Sequence, residues 1–336
     1  MSYGVGLDIG TSFIVGSSYD KKNVVLSKER NAFFELINSK DTLNILKNLN
    51  AKFVETDKHI YVVGESALSL ANSFGVNARR PMYRGAISSK EEDARIVLLE
   101  ILGSILAKPK KERETCCFTV PASPLDDQSV DVDYHESLLS DMVYTLGFKP
   151  IAINEALCVV YNDLWEKNAS GIGISFGAVM MNVCMANIGV ATKTFSIAKS
   201  GDWVDQKVSE RKAGLTASRA LKLKESKESP IDLIKDLGSK DVVRDAIARF
   251  YHLLIKTSVV NIASQFGPLA GTVDSKVDII VAGGTSLATG FIDVFRNHIN
   301  LYAKDVLPWG EIRLSEDPLF AVSKGALLKA KLEENE

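Results

Sequence analysis

Gly6-Leu7-Asp8-Ile9-Gly10-Thr11-Ser12, close to the start of a 336-residue chain, reads as an apolar strand that runs into a polar turn. Residues 3–9 and 13–19 have strand character on either side of Gly10-Thr11-Ser12, which predicts a hairpin. Glycine in the turn permits positive φ and close approach of a ligand to the backbone. Successive amides and the Thr11 and Ser12 hydroxyls then point donors at one place, a geometry suited to phosphate oxygens. Asp8, at the strand end, would stand too near phosphate for direct contact, but makes sense with a hydrated Mg2+ between the two anions. Ordinary β-turns also produce Asp-x-Gly-Thr, so the reading needs support from elsewhere in the chain.

An echo lies in mid-chain. Gly173-Ile174-Ser175-Phe176-Gly177-Ala178 repeats the apolar lead-in, the polar residue and the glycine, with Ser175 where the first copy has Asp8. The pattern of elements repeats as well. The first half predicts strands at 3–9, 13–19 and 23–27, and short β-pieces around Phe53 and at 60–63. Residues 79–85 break regular structure, and Arg79-Arg80 before Pro81 read as a solvated loop, with phosphates or a partner as the alternative they could face. A capping box of Ser89 and Glu92 then opens a helix to Ala107. A buried strand at 114–120, a helix at 134–146, a strand at 150–154 and a helix at 155–165 follow. The second half predicts strands at 171–176, 180–188 and 190–198, helices at 203–212, 217–225 and 242–266, and a strand at 277–282. It closes with a helix at 287–301, a short strand at 311–314 and a helix at 319–332. Such alternation favours α/β layers, and a repeat that keeps its order predicts two similar lobes with a ligand in the cleft between them. The boundaries read as 1–160 for lobe I, with a peripheral insertion at about 28–90 and completion by 317–336, and 161–316 for lobe II, with a helical insertion at about 205–270.

Composition narrows the function classes. The chain is 46% hydrophobic and 24% charged, and 40 basic against 42 acidic side chains leave a net charge of −2. That balance gives no electrostatic reason to capture nucleic acid or an anionic membrane. Lys108-Pro109-Lys110-Lys111 reads as a solvated loop, and the charge-rich stretch 222–228 as an exposed helix face. Four cysteines, two of them the neighbours Cys116 and Cys117 in an apolar run, read as reduced and buried. No apolar stretch approaches the roughly 18 residues of a membrane span. The chain enters its first strand without a signal-peptide pattern, and its acidic tail is no amphipathic anchor. The expected location is the cytoplasm, without direct membrane binding. His135-Glu136 lacks a second zinc-ligand histidine and reads as a surface pair, while Met180-Met181 and Trp203 read as core.

The C-terminal half corroborates the phosphate turns. The stretch from Val277 through Ala282-Gly283-Gly284-Thr285-Ser286 is an apolar strand ending in a double glycine, with a helix expected directly after it. Two glycines let the chain lie flat against a planar or charged ligand, and a helix start offers unpaired amides. A tight strand-to-helix connection would have the same sequence.

Taken together, these residues resemble the actin, heat-shock chaperone and sugar-kinase ATPase superfamily, on its prokaryotic actin-like side. Gly6 to Ser12 is similar to the first phosphate motif and residues 171–182 to the second. Asn154-Glu155-Ala156-Leu157 resembles the start of the connecting helix, Val281 to Ser286 the adenosine motif, and Asp317-Pro318-Leu319-Phe320-Ala321 the returning second connecting helix. The resemblance implies two ribonuclease-H-like lobes, mixed sheets flanked by helices, with ATP or ADP and Mg2+ in the cleft. It carries nucleotide contacts onto Gly10, Thr11, Ser12, Phe13, Ser175, Gly177, Ala178, Gly201, Asp202, Asp205, Gly283, Gly284 and Thr285. Lys224 and Glu225 match the helix that meets ribose and base, although an exposed ion-pair helix would read the same. Asp8 would hold the metal through water, and Glu155 would orient the attacking water; Glu155 is equally suited to a helix start favoured by the macrodipole.

Two departures bear on turnover. Ser175 replaces the second metal-side aspartate, and Val15 stands where some relatives carry a lysine. Loss of one such carboxylate slows chemistry by about 10² when it stabilises only the transition state. The expectation is an actin-like ATP-binding protein that assembles into nucleotide-dependent filaments, with slow or no useful hydrolysis and an unknown cargo or adaptor. The alternatives are a non-polymerising chaperone- or reactivase-like regulator and, more weakly, a small-molecule kinase whose substrate aspartate would be sought among Asp126, Asp127, Asp131 and Asp133.

Overall fold

Strands β1 (Val5–Ile9), β2 (Phe13–Asp20) and β3 (Asn23–Arg30) form an antiparallel meander in a computed structural model that describes residues 3–87, 93–211 and 214–335. The chain divides into two compact units. The first comprises Met1–Pro121, Ser129–Asn154 and Ser323–Glu336, and the second Ala122–Gln128 and Glu155–Val322.

In the first unit the meander is followed by β4 (Phe33–Ile37), α1 (Lys40–Asn48), β5 (Phe53–Glu55), β6 (His59–Val63) and α2 (Glu65–Leu70). Strands β4, β6 and β5 make a small sheet with its own core of Phe34, Leu46, Ile60 and Val62. β4 and the two helices were not expected; their apolar residues are too few and too short in run to show a period. The 79–85 segment bridges from Arg79 to Phe33 and then enters a two-stranded hairpin, β7 (Met82–Tyr83) and β8 (Ala86–Ile87), with Arg84 and Gly85 at positive φ in its turn. The Ser89/Glu92 capping box lies outside the described residues. Next come α3 (Ala94–Ile105), β9 (Thr115–Val120), α4 (Val132–Thr145) and β10 (Lys149–Asn154). β9 pairs parallel with β1, and β10 with β9, giving the sheet order β10-β9-β1-β2-β3. α3 and α4 bury Val97, Leu98, Ile101, Leu139 and Met142 with Leu7, Ile14 and Phe118 of the sheet.

The second unit opens with α5 (Glu155–Leu164), then β11 (Gly171–Phe176), β12 (Met181–Asn187) and β13 (Val190–Ile197). Helices α6 (Gly201–Arg211), α7 (Ala217–Lys224) and α8 (Val242–Phe266) follow, then β14 (Val277–Ala282), α9 (Phe291–Tyr302) and β15 (Trp309–Leu314). Its sheet order, β13-β12-β11-β14-β15, matches the first in topology: an antiparallel meander extended by two parallel strands. The core gathers Phe176, Phe195, Tyr251, Phe266, Phe291 and Phe295, and Trp203 packs edge-on to Phe250. Last, α10 (Ala321–Glu334) belongs to the first unit from Ser323 onward.

Three local expectations are corrected. The double glycine leads into a 3₁₀ turn, Gly284–Leu287, and the helix begins only at Phe291 after Gly290 in the left-handed region. His135 is not a surface residue: it is 1% exposed, and its Nδ1 accepts a hydrogen bond from the Ile87 amide at 3.2 Å. The stretch 222–228 is not an exposed face throughout, since the Lys224 side chain is only 8% exposed at the end of α7. The four cysteines are free and buried, and Met180 and Met181 are in the core.

Candidate functional site

In the first unit, strand register builds the polar centre. β1 lies antiparallel to β2 and parallel to β9, with Leu7 opposite Phe118, so Asp8 meets Thr119 one residue further on. The Thr119 hydroxyl donates to Asp8 Oδ1 at 3.2 Å and accepts from the Ile9 amide at 3.3 Å. Desolvation outweighs this hydrogen bond and raises the half-buried Asp8 carboxyl to about 7. The turn Gly10-Thr11-Ser12 is held from outside the hairpin. The Asn31 side chain, fully buried, donates to the Gly10 carbonyl at 3.0 Å, and the Asn31 amide donates to the Ser12 carbonyl at 3.0 Å. Phe13 carries the Arg30 guanidinium 3.9 Å and the Lys28 ammonium 4.4 Å above its ring.

In the second unit, residues far apart in sequence converge on the turn after β11. The Gly177 carbonyl accepts from Ser200 Oγ at 2.6 Å and from Thr285 Oγ1 at 2.7 Å. The Asp202 amide donates to the Ala178 carbonyl at 2.7 Å, tying the start of α6 to the same turn. Lys224 Nζ reaches back from the end of α7 to the Gly201 carbonyl at 2.9 Å and to Asp205 Oδ2 at 2.7 Å. Burial raises Asp205 to about 6 despite the opposing pull of Lys224. Gly283 has φ +93°, and a Cβ there would stand 2.3 Å from the Phe176 carbonyl oxygen. Its amide donates to the Pro318 carbonyl at 2.8 Å. Gly177, Ala178, Gly201, Asp202, Asp205, Lys224 and Thr285 are therefore brought together. Glu225 closes α7 as its C-cap, and Gly284 opens the 3₁₀ turn.

Ser175 and Glu155 meet directly. The Ser175 hydroxyl donates to Glu155 Oε1 at 2.6 Å, and Asn182 Nδ2 donates to Glu155 Oε2 at 2.8 Å. Ser175 and Asn182 are partners across the β11–β12 ladder, and both are buried. Asn182 is itself fixed, its Oδ1 accepting from the Ala122 amide at 2.9 Å. Asn182, Thr119 and Asn31 were not anticipated. The available signal was a polar residue inside a buried strand run, which marks Thr119 and Asn182 only once strand register is known. Of the aspartates weighed for a kinase, Asp131 caps α4 through the Tyr134 amide and Asp126 accepts from the Ala198 amide. Among the described residues no group of three or more His, Cys, Asp or Glu side chains is placed to hold a metal, and no helix is long and apolar enough to cross a membrane.

Known structures place this architecture. A MamK double helical filament superposes with a TM-score of 0.71 at 17% identity, over 98% of each chain. A non-polymerising MamK mutant bound to AMPPNP gives 0.57 at 19% identity, over 98% of this chain and 99% of that one. The ethanolamine utilization protein EutJ from Carboxydothermus hydrogenoformans gives 0.57 at 14% identity, over 98% and 90%. The chain thus has the fold of the actin-like ATPases, two sheet-containing units with flanking helices. No curated protein matches it. The family model described as Volactin matches residues 1–330, and the chain belongs to the Volactin family.

Proposed function

We propose that this actin-like protein binds ATP and ADP with Mg2+, assembles into nucleotide-dependent cytoskeletal filaments in the cytoplasm, and hydrolyses ATP slowly. The observation that carries the nucleotide reading is the convergence of Ser200, Gly201 and Thr285 on Gly177. A plain hairpin needs none of these distant contacts; a turn that must present its amides to phosphate needs its carbonyls held elsewhere. In this reading Gly10, Thr11, Ser12 and Phe13 of the first unit and Gly177 and Ala178 of the second bind phosphates. Gly201, Asp202, Asp205, Lys224 and Glu225 serve the sugar and base, beside Gly283, Gly284 and Thr285. The AMPPNP bound by the MamK mutant supports the nucleotide, and the MamK double helical filament supports self-association.

Asp8 fits a metal held through water. It accepts a hydrogen bond from the Thr119 hydroxyl, and a carboxyl raised to about 7 by desolvation gains from a nearby cation. Mg2+, when bound with the nucleotide, supplies charge neutralisation on the phosphates. Glu155 is the residue proposed to orient water, and Ser175 and Asn182 fix its two oxygens.

The test is nucleotide affinity with and without metal. Asp8→Ala should weaken binding of a fluorescent ATP analogue by about tenfold or more in Mg2+ and by much less in EDTA. Equal affinity of wild type and variant in Mg2+ would defeat the site assignment.

A further inference from the structure

Arg79 and Arg80, neighbours in sequence, serve different partners. Arg79 turns to the small peripheral sheet: its Nη2 is 3.1 Å from Glu35 Oε2, and its guanidinium lies 4.7 Å above the Phe33 ring. Arg80 turns to the first phosphate turn, where its Nη2 donates to Ser12 Oγ at 3.2 Å. The two segments are registered on each other. Asn31, which donates to the Gly10 carbonyl, also donates to Met82 Sδ at 3.1 Å, two residues beyond Arg80. Pro81 between them fixes the local backbone. The guanidinium is therefore positioned at the turn by the fold of this unit.

The turn has need of a cation. Residues 1–20 contain neither lysine nor arginine, so the hairpin itself offers an anion amides and hydroxyls, with Asp8 opposing. Lys28 and Arg30 lie above Phe13, and Arg30 Nε is 3.5 Å from Glu65 Oε2, which partly offsets that charge. Arg80 brings a cation to the turn itself, its N–H group touching Ser12. A guanidinium presents five donors in a planar fork, so a single arginine can hold a neighbouring side chain and a phosphate oxygen at once.

We propose that Arg80 binds the terminal phosphate of a nucleoside triphosphate seated on the Gly10-Thr11-Ser12 turn, and so sets the preference for triphosphate over diphosphate. The inference rests on the ATP-binding reading above. Loss of a charge-assisted hydrogen bond to phosphate costs about tenfold to a hundredfold in affinity.

The experiment measures MgATP and MgADP dissociation constants for wild type, Arg80→Ala, Arg80→Lys and Arg79→Ala, with melting temperature as the control for folding. Arg80→Ala should lower the ATP-to-ADP affinity ratio by about tenfold or more. Arg80→Lys, which keeps the charge and loses the fork, should fall between it and wild type. Arg79→Ala should leave the ratio unchanged. If wild type binds MgATP and both Arg80 variants keep its ratio, Arg80 has no such role and the nucleotide reading survives. If wild type itself does not bind MgATP, both readings fall together. Should Arg80→Ala fail to fold, the Arg80→Lys ratio decides: no change overturns the proposal.

Discussion

At position 175 a hydroxyl and a carboxylate have opposite consequences for Glu155. From sequence alone, Ser175 is a missing metal-side acid, and Ser175→Asp should speed hydrolysis. The structure gives the serine a second meaning, because its hydroxyl proton goes to Glu155 at 2.6 Å. An aspartate there would set two carboxylates at hydrogen-bond distance within a buried site, where one must take up a proton or move away. Ser175→Asp is therefore expected to release phosphate no faster than wild type and to lose about 2 kcal/mol of stability. Adding Glu155→Gln, whose amide can donate to the new carboxylate, should recover most of that stability. Phosphate release and urea unfolding measure both outcomes, and a Ser175→Asp protein that hydrolyses faster than wild type would sink the account. The candidate residues Asp8, Gly10, Gly177 and Thr285 were legible in the sequence because turn chemistry is local. Thr119, Asn182 and Asn31 were not, and for Arg79 and Arg80 the sequence left a solvated loop and a phosphate-facing pair both open, because each depends on register between segments distant in the chain.

Among the elements, the leading glycines of the two echoes have the same structural task. A Cβ at Gly6 would stand 2.1 Å from the Ser323 carbonyl oxygen of α10, and one at Gly173 2.2 Å from the Ala156 carbonyl oxygen of α5. Each marks where a helix backbone crosses the first strand of its sheet, so the repeated sequence records repeated packing as well as a polar turn. The main sheets and long helices were legible because their periods of two and 3.6 residues persist over whole elements. The small sheet and its helices were hidden by their shortness, and the 3₁₀ turn after Gly283 by the likeness of its sequence to a helix start. His135 shows how tertiary packing overrides local polarity. It ties α4 to β8, with Nδ1 accepting from Ile87, and Nε2 is buried with no hydrogen-bond partner among the described residues. Burial pushes its imidazole down from 6.5 to about 4. The unfolded chain therefore takes up this proton first. The contribution to stability is present above pH 6.5 and lost as pH falls toward 4, by about 3 kcal/mol. His135→Gln keeps an acceptor for the Ile87 amide without the titration. Between pH 6.5 and 4 the wild-type melting temperature should fall further than that of the variant. Parallel curves for the two proteins would show that His135 does not titrate as described.

At the scale of the molecule, assembly and nucleotide binding are separable claims. The fold shared with a MamK filament extends over 98% of both chains, but at 17% identity it carries architecture and not surface chemistry. Charge composition bears on assembly independently: 40 basic and 42 acidic side chains leave little net repulsion between copies, so association need not await high salt. In the proposed function nucleotide binding favours the conformations that the nucleotide fits. Those conformations, populated by ATP and less by ADP, are the ones expected to polymerise. Sedimentation at several protein concentrations should give a pelletable fraction above a threshold with MgATP, a higher threshold with MgADP, and none without nucleotide, with filaments visible in the pellets by electron microscopy. With the slow hydrolysis proposed above, the ATP filaments should persist for as long as the measured phosphate release lags behind assembly. A protein that binds MgATP yet stays monomeric in every nucleotide state at tens of micromolar would exclude the filament reading. The same clamp would then serve a non-polymerising regulator, whose nucleotide-dependent partner is another protein.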